Sequence, residues 1–418
     1  MFSALNIRVG FYLARRQILR ASVWTNALIV FVMLLTFLNL VVVTGILVGL
    51  IEGINEQYRE LFTGDVIITP LPSKSYIQDS PAVLSFLNTL PQVDKLSVRY
   101  VGGGTVEANY KTRSDPNEKP DQTGVQVFGI DPVAENNLTD LSHFVIEGSY
   151  LSPDDYDQVL IGSLLLEKYA FGEQPGLSPL KNVGPGTKVR LTVNGATREV
   201  TVKGVIKSKV EPLATSVYMT DTEARQLLGR DDYGLSQIAI RLRPGSDPAA
   251  FRDLVRASGI SEKAKVQTYI DAIPNGVADI KNTFAMLGNM ISSVGLIVAS
   301  ITIFIVIFIN ALTRRKFIGI LKGIGIHGGA IEIAYIIQAF FYAICGSALG
   351  LLVLYGFLVP SIAAHPIDFP FSDGILVAPL FDTLLRVLLL VIATIIAGYI
   401  PARMIVRKNT LDSILGRN

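Results

Sequence analysis

The sequence predicts a membrane α-helical protein: four transmembrane helices, with a large α+β extracytoplasmic domain between helices one and two. Three observations predict it. First, Trp24–Leu50, Phe284–Leu312 and Ile333–Val359 hold no charged residue, and a fourth apolar run, about 375–400, carries only Asp382 and Arg386. Each run exceeds the roughly 20 residues, at about 1.5 Å rise, that cross a ~30 Å hydrocarbon core. Second, residues 52–280 are rich in Asp, Lys, Thr, Gly and Pro, the composition of a globular domain. Third, the basic residues are placed. Arg8, Arg15, Arg16 and Arg20 lie before the first run; Arg314, Arg315, Lys316 and Lys322 follow the second; Arg403, Arg407, Lys408 and Arg417 follow the fourth. The loop between runs three and four has only Asp368 and Asp373.

By the positive-inside rule the N-terminus, 313–332 and the C-terminus face the cytoplasm, and the long domain and 360–376 face outward. The expected organisation is therefore an amphipathic N-terminus (1–23), helix one (24–51), the external domain (52–279), helix two (280–312), a cytoplasmic loop (313–332), helix three (333–359), an external loop (360–376), helix four (377–400) and a cytoplasmic tail (401–418). The first run is too long for the apolar stretch of a signal peptide and has no small-x-small cleavage site. A net charge of +2 gives no general case for nucleic acid, and the single cysteine, Cys345, sits mid-span as a small packing residue.

Taken in order, residues 2–20 alternate apolar and arginine positions, which suits a helix on the inner membrane surface. Gly45, Gly49 and Gly53 fall four apart at the exit of span one, and Gly346 and Gly350 repeat the spacing in span three. Small residues at that spacing let a second helix approach closely. In the external domain 65–69 reads as a strand, 81–90 as a helix, and 95–101, 105–110 and 125–130 as strands, with Gly102-Gly103-Gly104 as a turn and 111–123 as a polar loop. Residues 188–193 and 196–206 form a hairpin around Asn194-Gly195, a pair that accepts the positive φ of a type I′ turn. A strand at 217–219, a helix at 221–228, a strand at 237–243, a helix at 247–258 and a strand at 266–269 follow. The middle, about 131–232, reads as a second subdomain inserted into a first one made of 65–130 and 235–270. Residues 270–284 form a stalk into span two.

The chemistry of most enzyme classes is absent from the sequence. One cysteine and the scattered His143, His327 and His365 make no zinc pattern, and there is no Gly-x-x-x-x-Gly-Lys-Ser/Thr phosphate loop. No Gly-x-Ser-x-Gly elbow occurs. No catalytic, metal or cofactor-binding residue is therefore expected. Asp382 and Arg386, four apart on one helix face, read as a mutual ion pair that neutralises two groups costly in lipid. A role in substrate passage or at a seam between subunits is the other reading.

The segment Thr313-Arg-Arg-Lys-Phe-Ile-Gly-Ile-Leu-Lys-Gly-Ile-Gly-Ile-His327 and the terminal Ala397-Gly-Tyr-Ile-Pro-Ala-Arg to Leu415 resemble the C-terminal permease domain of the MacB/LolC/FtsX superfamily of ABC transporters. With one span, a large outer domain and three further spans, the likeness covers the whole chain. Phe317 stands where the family has Glu, Gly323-Ile324 where it has Ala-Leu, and Thr410-Leu411-Asp412 where it has Pro-x-Glu. The resemblance implies that the inner loop docks on an ATPase through Arg314, Arg315, Lys316, Phe317, Gly319, Ile320, Leu321, Lys322 and Gly325. It also implies a second permease subunit beside span one, in a homo- or heterodimer, and force transmission to the outer domain. It further places the chain in the bacterial cytoplasmic membrane among lipid. No cofactor is expected on this chain, because ATP is bound by a separate subunit. The strings Val127-Phe-Gly-Ile-Asp-Pro132 and Gly49-Leu-Ile-Glu-Gly-Ile-Asn55 are similar to those of lipoprotein-releasing permeases, which makes a lipoprotein, a lipid or a periplasmic protein the expected cargo or partner. The alternative is a non-transporting signal relay that controls a cell-wall hydrolase or senses peptides.

Overall fold

The computed structural model describes residues 4–111, 119–170, 178–230, 232–365 and 376–407. Helices are α1 (Ala4–Arg20), α2 (Val23–Tyr58), α3 (Ser80–Thr89), α4 (Pro132–Thr139), α5 (Glu211–Ala214), α6 (Asp221–Leu227), α7 (Pro248–Ala257), α8 (Asn275–Thr313), α9 (Arg315–Gly323), α10 (Gly328–Val353), α11 (Val359–Ala364) and α12 (Leu380–Val406). Strands are β1 (Val66–Thr69), β2 (Val93–Ala108), β3 (Asp121–Ile130), β4 (Val145–Gly148), β5 (Gln158–Gly162), β6 (Lys188–Val193), β7 (Ala196–Ile206), β8 (Ser216–Thr220), β9 (Gln237–Leu242) and β10 (Lys265–Thr268). The chain forms two compact units, one built from the spans and one from Glu52–Ala278.

Among the described residues of the membrane unit, four helices are long and apolar enough to cross a bilayer. They start or end several residues away from the charge-free runs, because helices continue into water where the sequence turns polar. α2 is one helix through Glu52 and Glu56 to Tyr58. At 36 residues it is about 54 Å long, well beyond a ~30 Å core. α8 begins at Asn275, inside the expected stalk. Span three continues from α10 through a π-helical turn, Leu354–Leu358, into α11. That turn precedes Pro360, which lacks the N–H that a regular ladder requires.

Glycines set the packing of the membrane unit. A Cβ on Gly10 of α1 would lie 2.7 Å from Ile333 Cγ2 and 2.9 Å from the Ala330 carbonyl, so α1 lies directly against the start of α10. Its outward face repeats every seven residues, with Leu5, Tyr12 and Leu19 exposed beside Arg8, Arg15 and Arg16. A Cβ on Gly398 of α12 would lie 2.8 Å from the Ala339 Cβ of α10. Within the apolar bundle runs a polar chain: Gln338 Nε2 donates to Tyr342 Oη at 3.0 Å, Tyr342 Oη to Asn26 Oδ1 at 2.7 Å, and Asn26 Nδ2 to the Ile18 carbonyl at 2.9 Å. In hydrocarbon these groups have no water to turn to, which is why they pair with one another.

The external unit is built on one ten-stranded sheet, ordered β10-β1-β9-β2-β3-β8-β5-β7-β4, with β6 bridging β2 and β7. Strands from 66–130 and 237–268 lie side by side. Strands from 145–220 continue the sheet through the parallel β3–β8 pair, Gln126↔Ser216 to Ile130↔Thr220. Apolar residues of α3 (Val83, Leu87), α6 (Ala224, Leu227) and α7 (Phe251, Val255) are buried in its main core. Asn194 and Gly195 take φ of 50° and 84° at the β6–β7 hairpin.

One expectation needs correction. Gly102-Gly103-Gly104 is not a turn but the middle of the unbroken strand β2. On one edge β2 pairs with β9 up to Arg99 and with β6 from Gly104 onward. The glycines lie where the partner changes. A Cβ on Gly102 would meet Leu228 Cδ2 at 2.2 Å, and one on Gly104 the Thr192 carbonyl at 2.6 Å. The strands β4 and β5 were not anticipated. The polar loop expected over 111–123 is shorter, because Asp121–Thr123 already belong to β3; its residues 112–118, most of the outer loop with Asp368 and Asp373, and the tail with Thr410–Asp412 lie outside the described residues.

Candidate functional site

The sequence places its functional residues between spans two and three, and there the chain folds as the short helix α9. Arg314 follows the end of α8, with its N–H 3.3 Å from the Asn310 carbonyl, and precedes the first turn of α9. Ile318 is 4 % exposed and Gly319 is buried, so this face lies against the membrane bundle. The opposite face carries Phe317 (69 % exposed), Ile320 (50 %) and Ile324 (72 %). Their i, i+3, i+7 spacing aligns the three on one stripe. Lys316 is exposed beside them, and Arg314 and Arg315 are half-buried.

Several contacts fix the helix in place. Lys322 Nζ donates to the Val406 carbonyl at 2.9 Å, a cation at the carbonyl end of α12. Gly325 turns the chain with φ of 95°, a conformation that favours glycine. His327 then caps α10, with Nδ1 accepting the Gly329 N–H at 3.1 Å. The start of α10 is pressed against the same end of α12, since a Cβ on Gly328 would meet Val406 Cγ1 at 2.9 Å. The result is an amphipathic stub held at both ends whose apolar stripe faces away from its own bundle. Chemically such a surface offers an apolar stripe with basic neighbours to a partner groove.

Of the residues singled out from sequence, Arg314, Arg315, Lys316, Phe317, Gly319, Ile320, Leu321, Lys322 and Gly325 all belong to this stub or its ends. Leu321 is half-buried and packs on the bundle instead of pointing outward. Ile324, more exposed than Phe317 or Ile320, was missed, although its spacing from both gave the signal. The packing glycines divide. A Cβ on Gly346 would lie 2.4 Å from Met33 Cβ, and one on Gly350 2.1 Å from Phe37 Cδ1, so both seat α2. Gly45 and Gly49 are buried and Gly53 is half-buried. Gly45 faces its own chain: a Cβ there would lie 2.9 Å from Leu376 Cδ1, and its carbonyl accepts the Val377 N–H at 3.2 Å. Asp382 and Arg386 stand one turn apart on α12, but no ion pair within 4.0 Å joins them among those formed by the described residues. Both lie near the start of α12.

Two known domain families match the chain. The MacB-like periplasmic core domain matches residues 27–258, and the FtsX-like permease C-terminal domain matches residues 289–410, which include α9. A macrolide export ATP-binding/permease protein, MacB 1 of Yersinia pestis bv. Antiqua, is 24% identical over 225 residues, covering 51% of this chain and 33% of that protein. A probable export ATP-binding/permease protein of Pseudomonas fluorescens is 22% identical over 197 residues, covering 46% of this chain and 29% of that protein. The chain thus spans about a third of the length of these curated relatives. Among solved structures, the periplasmic region of MacB from Actinobacillus actinomycetemcomitans overlays 56% of this chain and 97% of its own, at 13% identity and a TM-score of 0.36.

Proposed function

This chain belongs to the MacB/FtsX-type ABC transporter permease superfamily, and on that premise we propose that it is the membrane half of an ATP-driven force relay. An ABC ATPase subunit, which binds the ATP, docks on α9. Its closure moves α9, α8 and α2 shift with it, and the external domain acts on a substrate held outside the hydrocarbon. Two permease subunits, identical or related, form the working unit in a bacterial cytoplasmic membrane. The basic N-terminus and the basic loop around α9 face the cytoplasm, as the charge placement favours. The cargo is an envelope amphiphile, with a lipoprotein or lipid favoured by the strings at 49–55 and 127–132.

The observation that carries this reading is the outward stripe of Phe317, Ile320 and Ile324 on a stub pinned at both ends. An apolar stripe left in water is unfavourable by roughly 25 cal/mol per Å2. A partner groove removes that cost, and basic neighbours speed the encounter with an acidic rim. Replacing Phe317 and Ile320 together by Asp tests it. Co-purification of the ATPase is expected to fall roughly tenfold or more, while the unfolding of the external domain stays as in the parent. Unchanged co-purification would remove α9 as the dock.

A further inference from the structure

We infer that the outer end of α2 is a rigid key locked into the external domain, not a hinge, and that Arg241 and the Arg99–Glu135 pair are the positioning residues that hold it. The inference rests on the force-relay reading and deepens it, because a relay needs a joint that does not slip. All the residues concerned belong to the external unit.

The regular helix ends at Tyr58 and continues for one π-helical turn, Arg59–Thr63. Such turns serve as hinges where little surrounds them. Here the turn is clamped. Gly64 takes φ of 65°, and a Cβ on it would lie 2.4 Å from the Ile240 carbonyl. The next N–H, that of Asp65, donates to the same carbonyl at 2.7 Å. The chain therefore passes from helix into β1 in contact with β9, with no slack between. Asp65 Oδ1 accepts from Arg59 Nε at 2.6 Å, and its Oδ2 from the Leu242 N–H at 2.7 Å.

Arg241 reaches in from β9. Its Nη1 binds Glu60 Oε1 at 2.6 Å, and its Nη2 donates to the carbonyls of Glu60 and Leu138, each at 3.2 Å. A helix end leaves carbonyls without partners, and one guanidinium answers that of Glu60 while holding α4 as well. The third clamp is buried. Arg99 on β2 and Glu135 on α4 are each 1 % exposed and pair in a fork, Nε–Oε2 at 2.9 Å and Nη2–Oε1 at 2.6 Å. Ser97 Oγ donates to the same carboxylate at 2.6 Å. The guanidinium carbon of Arg99 lies 5.0 Å from the ring centre of Phe62 in the π turn. From Phe62 aromatic contacts run across the sheet, 6.0 Å to Phe128 of β3 and then 5.3 Å, stacked, to Tyr218 of β8. A buried ion pair is weak evidence for stability but strong for a fixed geometry, since leaving either charge unpaired is costly. Displacing the π turn would disturb the Phe62 cap on that pair and the Glu60 contact together. Motion of α2 must therefore carry β1, β9, β2 and β3 with it.

The test measures the joint alone. With Cys345 replaced by Ala, full-length protein in lipid nanodiscs is spin-labelled at cysteines placed at 52 and 94, and distances are read by pulsed electron resonance. The parent is expected to give one narrow distribution. Arg241→Met, and separately Arg99→Met with Glu135→Leu, which removes both charges and strands neither, are expected to broaden it. Labels at 94 and 188 report the sheet itself and are expected to stay narrow. A broad 52–94 distribution in the parent would show a hinge and overturn the inference. So would a distribution unchanged by Arg241→Met, or one in which 94–188 broadens with 52–94. No nucleotide or ATPase is present, so failure here leaves docking at α9 standing, and failure of that docking leaves this measurement intact.

Discussion

The ring of Phe37 occupies the space that a side chain at Gly350 would need. A Cβ there would lie 2.1 Å from Phe37 Cδ1 and 3.0 Å from Cγ. One turn earlier Gly346 meets the backbone of the same helix, with the Leu34 nitrogen 3.1 Å from its would-be Cβ. Spans one and three thus meet closely because span three brings no side chain at these two positions, leaving room for Phe37 and Met33, which is how helices gain contact where lipid offers no hydrophobic drive.

Gly350→Ala is therefore expected to destabilise the bundle by about 1–3 kcal/mol, the usual cost of overpacking. Gly356→Ala, with nothing within 4 Å of its Cβ position, serves as the control. Unfolding of the full chain in detergent, followed by circular dichroism, reads both. Phe37→Leu added to Gly350→Ala should recover much of the loss, and a double variant no better than the single one would point away from this contact.

Gly45 is expected to act within its own chain. Bulk at 45 must push away Leu376 and break the Val377 N–H bond to the Gly45 carbonyl. The segment that follows is held from the other side by Tyr355 Oη, which donates to the Ala378 carbonyl at 2.9 Å. In a Cys345→Ala background, a cysteine at 377 should be labelled faster by a maleimide when Gly45 is replaced by Leu, and at the parent rate when Val42 is. Equal labelling in all three would mean that the segment does not depend on Gly45.

The spans were legible because lipid imposes a length and a composition that no other environment requires. The hairpin at Asn194-Gly195 was legible because its turn needs two positive φ values, and the N-terminus of α7 because Asp247 and Pro248 mark it locally. What escaped depends on distant partners. Three glycines in a row look like a turn until the strands beside them are known. Arg99 and Glu135 lie 36 positions apart and give no pattern in the sequence. Even along α9 and its C-cap the spacing of Phe317, Ile320 and Ile324 was on view, but the side that the bundle covers, and with it Leu321, was not.

Breaking the buried pair should cost far more than removing it. Arg99→Met leaves the buried Glu135 carboxylate without its counter-charge, an effect of about 3–5 kcal/mol. Glu135→Leu alone strands the guanidinium and is expected to cost a similar amount. Arg99→Met with Glu135→Leu should regain most of it. Thermal unfolding of the full chain, read at the transition of the external domain, would contradict this if the double variant were the least stable of the three.

Acid should find a weak point at Glu199 on β7. Tyr110 Oη donates to its Oε2, Lys111 Nζ lies 2.6 Å from the same oxygen, and Lys188 Nζ lies 3.0 Å from Oε1. Hydrogen bonds from Lys111, Tyr110 and Lys188 hold this carboxyl down to about 2 from its ordinary 4.5. A carboxyl whose folded value is depressed stabilises the fold above its unfolded value, and that stabilisation fades as pH falls towards the folded one. The contribution of Glu199 is thus whole above about pH 4.5 and lost progressively down to about pH 2. Glu199→Gln cannot show this loss. The parent should exceed the variant in melting temperature at pH 6, and the gap should close as pH is lowered through that window. Because the cluster is exposed, added salt should narrow the gap at pH 6 as well. A gap that stays constant from pH 6 to pH 2 would show that the lysine contacts do not hold the carboxylate in solution.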